Sequence, residues 1–79
     1  MDTHLKFELD READILYINR CAPYAEQESE ELGDDVVVRL NPETREIENL
    51  EVLFFSKRLS DSPMLDLPVD GIMRVTRTA

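Results

Sequence analysis

Three carboxylates stand at alternate positions in a short polar stretch near the start of the chain: Asp10, Glu12 and Asp14. Carboxylate oxygens are the ligands that hard cations such as Ca²⁺ and Mg²⁺ prefer. The stretch lacks the glycine and the distal glutamate of a calcium-binding loop, and Arg11 lies among the acids. We therefore favour a turn in which Asp10 accepts hydrogen bonds from backbone N–H groups and Asp14 pairs with a neighbouring strand. No metal site is predicted.

Three other reactive side chains stand alone in the sequence. His4 has no serine or cysteine nucleophile at a recognisable spacing, and Tyr17 is of a type that commonly packs in strands. Cys21 follows Arg20, whose charge would lower the pKa of the thiol, but we interpret it as an inert cysteine. No catalytic residue and no cofactor are predicted, and we expect the chain not to be an enzyme.

Acidic residues dominate the charge of the chain, which is −9 over 79 residues. Such a field repels phosphate backbones, so we expect no direct nucleic-acid binding, and it favours a small basic protein as partner. Between residues 21 and 38 there are six acids and no base, and this run has two interpretations: a surface that docks on a basic groove, or a solvated loop. The tentative partner-binding residues are Glu26, Glu28, Glu30, Glu31, Asp34 and Asp35.

The elements that position these groups are predicted to be strands. Leu5, Phe7 and Leu9 alternate with polar residues, and the apolar run 15–18 follows after a polar tip, which predicts a hairpin of strands 5–9 and 15–19. Residues 35–40 and 46–54 predict a second hairpin around the turn 41–45, in which Pro42 suits the second turn position.

The remaining segments are less regular. Residues 24–35 predict a polar connection, compatible with a helical turn over 26–32 that Gly33 ends. Residues 50–57 also fit a helical face, although we prefer the strand, and a helical turn over 56–59 is expected to follow it. In the tail, the alternation at 65–69 and the pair Asp70-Gly71 suggest a small second hairpin.

The segment Asp10-x-Glu12-Ala13-Asp14-x-Leu16-Tyr17-Ile18 resembles the hallmark of the small bacterial family called domain of unknown function 2283. A second family segment resembles residues 36–53, with Thr44 and Asn49 standing where the family has glycines. The resemblance covers about residues 5–59 and supports the fold. It implies no activity, although members are suspected to lie beside genes for toxins, which would make this chain antitoxin-like. The motif residues, interpreted as structural, are Asp10, Glu12, Ala13, Asp14, Leu16, Tyr17 and Ile18.

Together these patterns predict a mainly β fold: an antiparallel four-stranded meander of two hairpins, with a helical turn near 56–59 and a small C-terminal hairpin. We expect one domain over 1–79, with a core of about 5–59 and an extension over 60–79.

Residues 15–18 and 36–38 are apolar on both strand faces, so a second layer must come from residues 50–75 or from another subunit. We therefore predict a homodimer through the sheet face or edge. A lone cysteine and the lack of a long apolar run indicate a cytoplasmic protein with no membrane contact. We expect a small non-catalytic acidic protein-interaction module. The alternatives are a structural homodimer or accessory subunit without ligand, and a metal-binding or enzymatic site at the hairpin acids.

Overall fold

The computed structural model describes residues 4–76, which form a five-stranded antiparallel sheet followed by one short helix. The prediction of a mainly β antiparallel fold is confirmed, but the count of four strands is wrong because a fifth forms in the acidic connection. The region 50–59 contains the end of a strand and the start of a helix. The elements are β1 (Lys6–Asp10), β2 (Ile15–Asn19), β3 (Glu28–Gly33), β4 (Val36–Leu40), β5 (Ile47–Leu53) and α1 (Phe55–Asp61).

The strands lie side by side in the order β1-β2-β5-β4-β3. The sequence predicts a meander, in which each strand pairs with the next along the chain. This prediction is wrong at one place, because β2 pairs with β5. Residues 20–27, here called the crossover, connect β2 to a strand at the far edge of the sheet. This order leaves the acid-rich β3 at an edge, where its carboxylates remain hydrated, and gives the centre to β5, which carries Leu50 and Val52.

Residues opposite each other in paired strands project from the same face of the sheet. One face, here called the apolar face, contains the buried core, whose members are at most 7% exposed: Ile18, Val36, Val38, Leu40 and Val52. The opposite face, here called the polar face, has rows that cross all five strands. One such row is Glu8, Tyr17, Glu51, Val37 and Glu31, and another is Lys6, Asn19, Asn49, Arg39 and Ser29.

The strand β3 replaces the loop or helical turn that the sequence suggests for residues 26–32. Two residues with positive φ, Asp34 (54°) and Asp35 (61°), connect β3 to β4, which is the type I′ pattern that matches strand twist. Aspartate tolerates this left-handed region better than most residues. Like charges spaced four apart are neighbours in a helix and would weaken it, whereas in a strand they lie on one face but about 13 Å apart. The expected helical turn is wrong because the Asp34-Asp35 turn folds residues 28–33 back onto β4 as a strand.

The two hairpins β1–β2 and β4–β5 have loops of the same design. In the first, Asp10 Oδ1 accepts hydrogen bonds from the N–H groups two and three residues on, each at 3.1 Å. In the second, Asn41 Oδ1 accepts the equivalent bonds at 2.8 and 3.0 Å. Four residues after each of these side chains the backbone is left-handed, at Asp14 (φ 59°) and at Arg45 (φ 67°). The turn around Pro42 is confirmed, and its left-handed residue is Arg45.

The tail, residues 62–76, contains no strand, so the predicted second hairpin is wrong. Pro63 and Pro68 have no N–H group to donate to a ladder. Instead, Leu67 and Val69 line one open depression of about 690 Å³ together with residues of the apolar face, namely Val38, Leu40 and Ile47. Part of the second layer that the strands require therefore comes from the tail.

Candidate functional site

The three hairpin acids occupy different environments. Asp10 is engaged with the backbone of its own loop, as expected, while Glu12 is exposed. Asp14 contacts α1 instead of a neighbouring strand, which corrects that expectation. Over residues 4–76 no group of three histidine, cysteine or acidic side chains is close enough together to hold a metal ion. The geometry thus gives a metal site at these acids no support.

Asp14 binds the first turn of α1. The residue that precedes this helix, Phe54, has a left-handed backbone (φ 54°) and makes no capping hydrogen bond through its side chain. The Asp14 carboxylate accepts hydrogen bonds from the Ser56 N–H at 3.1 and 3.3 Å and from the Ser56 hydroxyl at 2.8 Å, and its carbonyl accepts one from the Phe55 N–H at 3.0 Å. The hairpin loop therefore caps a helix that lies 42 residues later in the chain.

The remaining motif residues continue into β2. Leu16 and Ile18 project from the apolar face, where Ile18 is 7% exposed, and Tyr17 is half-buried on the polar face opposite Glu51. His4 is exposed next to β1. The motif side chains therefore pack against the sheet or hold its first loop in shape. None of these residues places a nucleophile next to a base.

The six acids of the predicted partner surface are all exposed, and they follow one edge of the sheet. Glu28 and Glu30 project from one face of β3 and Glu31 from the other, because successive side chains alternate along a strand. Glu26 lies just before β3 and Asp34 and Asp35 lie just after it. We call these residues together with β3 the acidic edge.

Two arginines of the same chain form ion pairs with the acidic edge. Arg45 pairs with Glu28 and lies 4.0 Å from Glu30, and Arg58 of α1 lies 3.4 Å from Asp34. The carboxylates of these pairs are more than half exposed. Exposed ion pairs contribute only about 0–1 kcal/mol. Breaking these contacts therefore costs little free energy.

A buried polar cluster that sequence analysis missed lies where the crossover meets β5. Its centre is Asn49, which is 1% exposed. The Asn49 amide donates to Asn19 Oδ1 at 2.9 Å and to the Cys21 carbonyl at 2.7 Å, and its oxygen accepts from Gln27 Nε2 at 2.7 Å. One signal was present in the sequence, since a polar residue stands at Asn49 where the family has a glycine. Nothing in the sequence alone indicated its partners, which are 22 to 30 residues away.

Glu48 extends this cluster because it is the extra residue of a bulge in β5. Arg39 pairs with Asn49 and Leu40 with Ile47, so Glu48 has no opposite residue in β4. Its carboxylate accepts hydrogen bonds at 2.6 Å from the Tyr24 hydroxyl, at 2.9 Å from Gln27 Nε2 and at 3.2 Å from Asn41 Nδ2. In the described part of the chain, no buried side-chain nitrogen or oxygen lacks a hydrogen-bond partner. Full satisfaction of the cluster indicates that it fastens the crossover to the sheet.

Hydrogen bonds, charges and burial in the cluster shift the pKa values of three groups. The hydrogen bond to Glu48 raises the pKa of Tyr24 to about 12, and the bonds from Tyr24 and Gln27 lower the pKa of the Glu48 carboxyl. Partial burial and the charge of Glu48 raise the pKa of the Cys21 thiol and outweigh the opposite effect of Arg20. Arg20 therefore does not activate the thiol, in agreement with the interpretation of Cys21 as inert.

Replacing Glu48 with glutamine is expected to lower the pKa of Tyr24 towards its ordinary value of 10. Because the folded-state pKa lies above the unfolded one, the Tyr24 interaction stabilises the fold fully below about pH 10 and is lost as the pH rises to about 12. Ultraviolet titration of tyrosinate in the wild type, in Glu48→Gln and in Tyr24→Phe isolates the Tyr24 signal. An unchanged Tyr24 titration in Glu48→Gln would contradict the assignment of the carboxylate as its partner.

No helix in residues 4–76 is long and apolar enough to span a membrane, since α1 has seven residues. Comparison with known proteins gives one positive result. A family model described as a protein of unknown function (DUF2283) matches residues 6–56. No curated protein and no solved structure matches the chain.

Proposed function

Because the chain belongs to the DUF2283 family, whose function is unknown, we propose from its own surface that it is a small non-catalytic module that binds a basic protein in the cytoplasm. The observation that carries this proposal is the acidic edge: among the residues that the structure describes, β3 pairs on one side only, and its exposed side chains include Glu28, Glu30 and Glu31. An edge strand presents free backbone N–H and C=O groups to any extended chain.

The binding mode that fits this surface is the addition of an extended basic segment to β3. Main-chain hydrogen bonds to the edge would supply affinity, and lysine or arginine side chains would meet carboxylates on both faces of the strand. Carboxylates spread along a strand recognise charge, whereas acid–base catalysis needs groups that converge on one bond. The narrower form of the proposal is an antitoxin-like role, in which the basic segment belongs to a toxin such as a ribonuclease.

The test of this proposal uses an extended peptide with lysines on both faces of a strand, measured by fluorescence anisotropy at low and high salt. The wild type is expected to bind it, with an affinity that falls as salt rises. Neutralising β3 with Glu28→Gln, Glu30→Gln and Glu31→Gln is expected to weaken binding about tenfold or more, which corresponds to about 1.4 kcal/mol. Amide chemical shifts should change along β3.

A matched control separates location from total charge. Glu12→Gln, Glu43→Gln and Asp66→Asn change the net charge by the same amount at exposed positions outside β3. This variant is expected to bind the peptide nearly as well as the wild type. Equal losses in the two triple variants would mean that only the overall field attracts the peptide, and failure of the wild type to bind would remove the proposal. Affinity capture from native extract, eluted with salt, then tests for a natural basic partner.

A further inference from the structure

The other edge of the sheet, β1, differs from the acidic edge in its side chains. Within residues 4–76 it pairs with β2 alone, and its outer backbone groups have no partner among those residues. On the apolar face it carries Phe7, which is 63% exposed, and Leu9, which is 43% exposed, while Leu5 just before it is 45% exposed. Exposed apolar residues on an unpaired edge strand are the combination that natural sheets avoid unless the edge has a partner.

The end of the tail enlarges this apolar patch. Ile72 is 84% exposed and Met73 is 87% exposed, and both line a depression of about 300 Å³ together with His4 and Leu5. Five large apolar side chains thus lie on or beside the β1 edge of the apolar face. Leaving them in water forgoes the favourable free energy of burying their exposed apolar area.

On the polar face, β1 and the residue two before it present a self-complementary order of side chains: His4 and Lys6, then Glu8 and Asp10. If two copies of β1 pair antiparallel about a two-fold axis through Phe7, Lys6 of each copy lies opposite Glu8 of the other. In the same register His4 lies opposite Asp10, Leu5 opposite Leu9, and Phe7 opposite Phe7. Charge pairs then occupy one face and apolar pairs the other.

We propose that β1 docks a second copy of this chain in this register, which joins two five-stranded sheets into one continuous sheet. Neighbouring registers are poorer matches. An axis through Glu8 places Glu8 against Glu8, and an axis through Lys6 places Lys6 against Lys6, and like charges directly opposite each other are destabilising. The Phe7-centred register has neither conflict.

Pairing of β1 with β3 of another copy is the competing arrangement, and charge disfavours it. It would bring Glu8 and Asp10 towards the carboxylates of β3. It would also leave one β1 and one β3 free at the ends, so the contact would not close and would continue into a filament. The β1–β1 contact is closed by its two-fold axis and leaves both acidic edges available, so it does not depend on the proposed basic partner.

The test uses charge exchange in the full chain, at about 0.15 M salt so that the net repulsion between two acidic copies is screened. Sedimentation equilibrium of the wild type is expected to give twice the chain mass of 9.2 kDa. Lys6→Glu places acids opposite acids, and Glu8→Lys places bases opposite bases. Each variant alone is expected to dissociate about tenfold more readily or worse, because facing like charges cost more than about 1.4 kcal/mol.

Mixing the two variants is the decisive step. Within either variant alone, positions 6 and 8 carry charges of the same sign, so these positions cannot form an opposite-charge pair across the two-fold axis. A heterodimer of Lys6→Glu with Glu8→Lys places an acid of one copy opposite a base of the other at both contacts, so the mixture is expected to dimerise.

The control for this experiment lies in the adjoining loop. Glu12→Lys makes the same charge change as Glu8→Lys and should leave the dimer intact, and circular dichroism checks that each variant is folded. A monomeric wild type, single variants that dimerise normally, or folded variants whose mixture stays monomeric would each overturn the proposal.

Discussion

Replacing Asn49 with alanine is expected to lower the free energy of unfolding by about 3 kcal/mol. The side chain is 1% exposed and makes three hydrogen bonds of 2.7–2.9 Å. Its removal leaves the Cys21 carbonyl without this donor and opens a small cavity at the central strand. In a domain of this size, that loss corresponds to a fall of about 15 °C in the melting temperature. Urea denaturation measures it directly.

The variant Asn49→Asp separates hydrogen bonding from packing, because it keeps the volume and removes both N–H donors. It places a carboxylate oxygen against Asn19 Oδ1 and the Cys21 carbonyl, so it is expected to destabilise at least as much as alanine. Ser29→Ala, at an exposed site in the same row of the sheet, should change stability by less than about 0.5 kcal/mol. A loss below about 1 kcal/mol in Asn49→Ala would show that the cluster does not hold the crossover.

The cluster also connects stability to the proposed binding surface. The crossover that Asn49 and Glu48 fasten leads directly into β3, so its release should loosen the acidic edge before the rest of the sheet. Hydrogen exchange in Asn49→Ala is therefore expected to rise first in residues 20–33. Local opening costs less free energy at a weakly held edge strand than in the β2–β5–β4 centre of the sheet.

Strands with apolar alternation could be predicted from the sequence, and their bounds were correct within one or two residues. Residues 15–18 and 36–38 mark buried strands by composition alone. The acidic β3 could not be recognised in this way, because glutamate and serine do not mark a strand by composition. The stability of β3 comes from its backbone ladder with β4. Its remaining sequence signal, the Asp34-Asp35 turn, differs from the glycine-containing pairs that usually mark such hairpins.

The chemistry of individual acids was harder to predict than the strands. The role of Asp10 follows from its position at the start of a loop, since its partners are two and three residues away. The roles of Asp14 and Asn49 depend on which strands become neighbours, because their partners lie 42 and up to 30 residues away. A single sequence contains no local trace of such contacts. The strand order β1-β2-β5-β4-β3 is what brings them together.

Asp14 supplies the second large effect. Asp14→Ala removes the carboxylate that caps the Ser56 N–H, and it forces alanine into a left-handed backbone with φ of 59°. Loss of a cap costs about 1 kcal/mol, and the left-handed conformation costs an ordinary residue about 1–2 kcal/mol more. We therefore expect a total loss of about 2–3 kcal/mol in urea denaturation, with faster hydrogen exchange in α1.

Two further substitutions divide this effect into its parts. Asp14→Gly tolerates the positive φ and loses only the cap, so it should cost about 1 kcal/mol. Asp14→Asn retains an acceptor and a residue that tolerates the left-handed region, so it should cost least. Glu12→Ala, in the same loop but exposed, should leave stability and α1 exchange unchanged. If Asp14→Gly matched the wild type while Asp14→Ala lost stability, backbone strain alone would explain the residue. An equal loss in the glycine and alanine variants would instead assign the whole effect to the hydrogen bonds between the Asp14 carboxylate and Ser56 of α1. Those hydrogen bonds would then explain why an acid follows Ala13 in this loop.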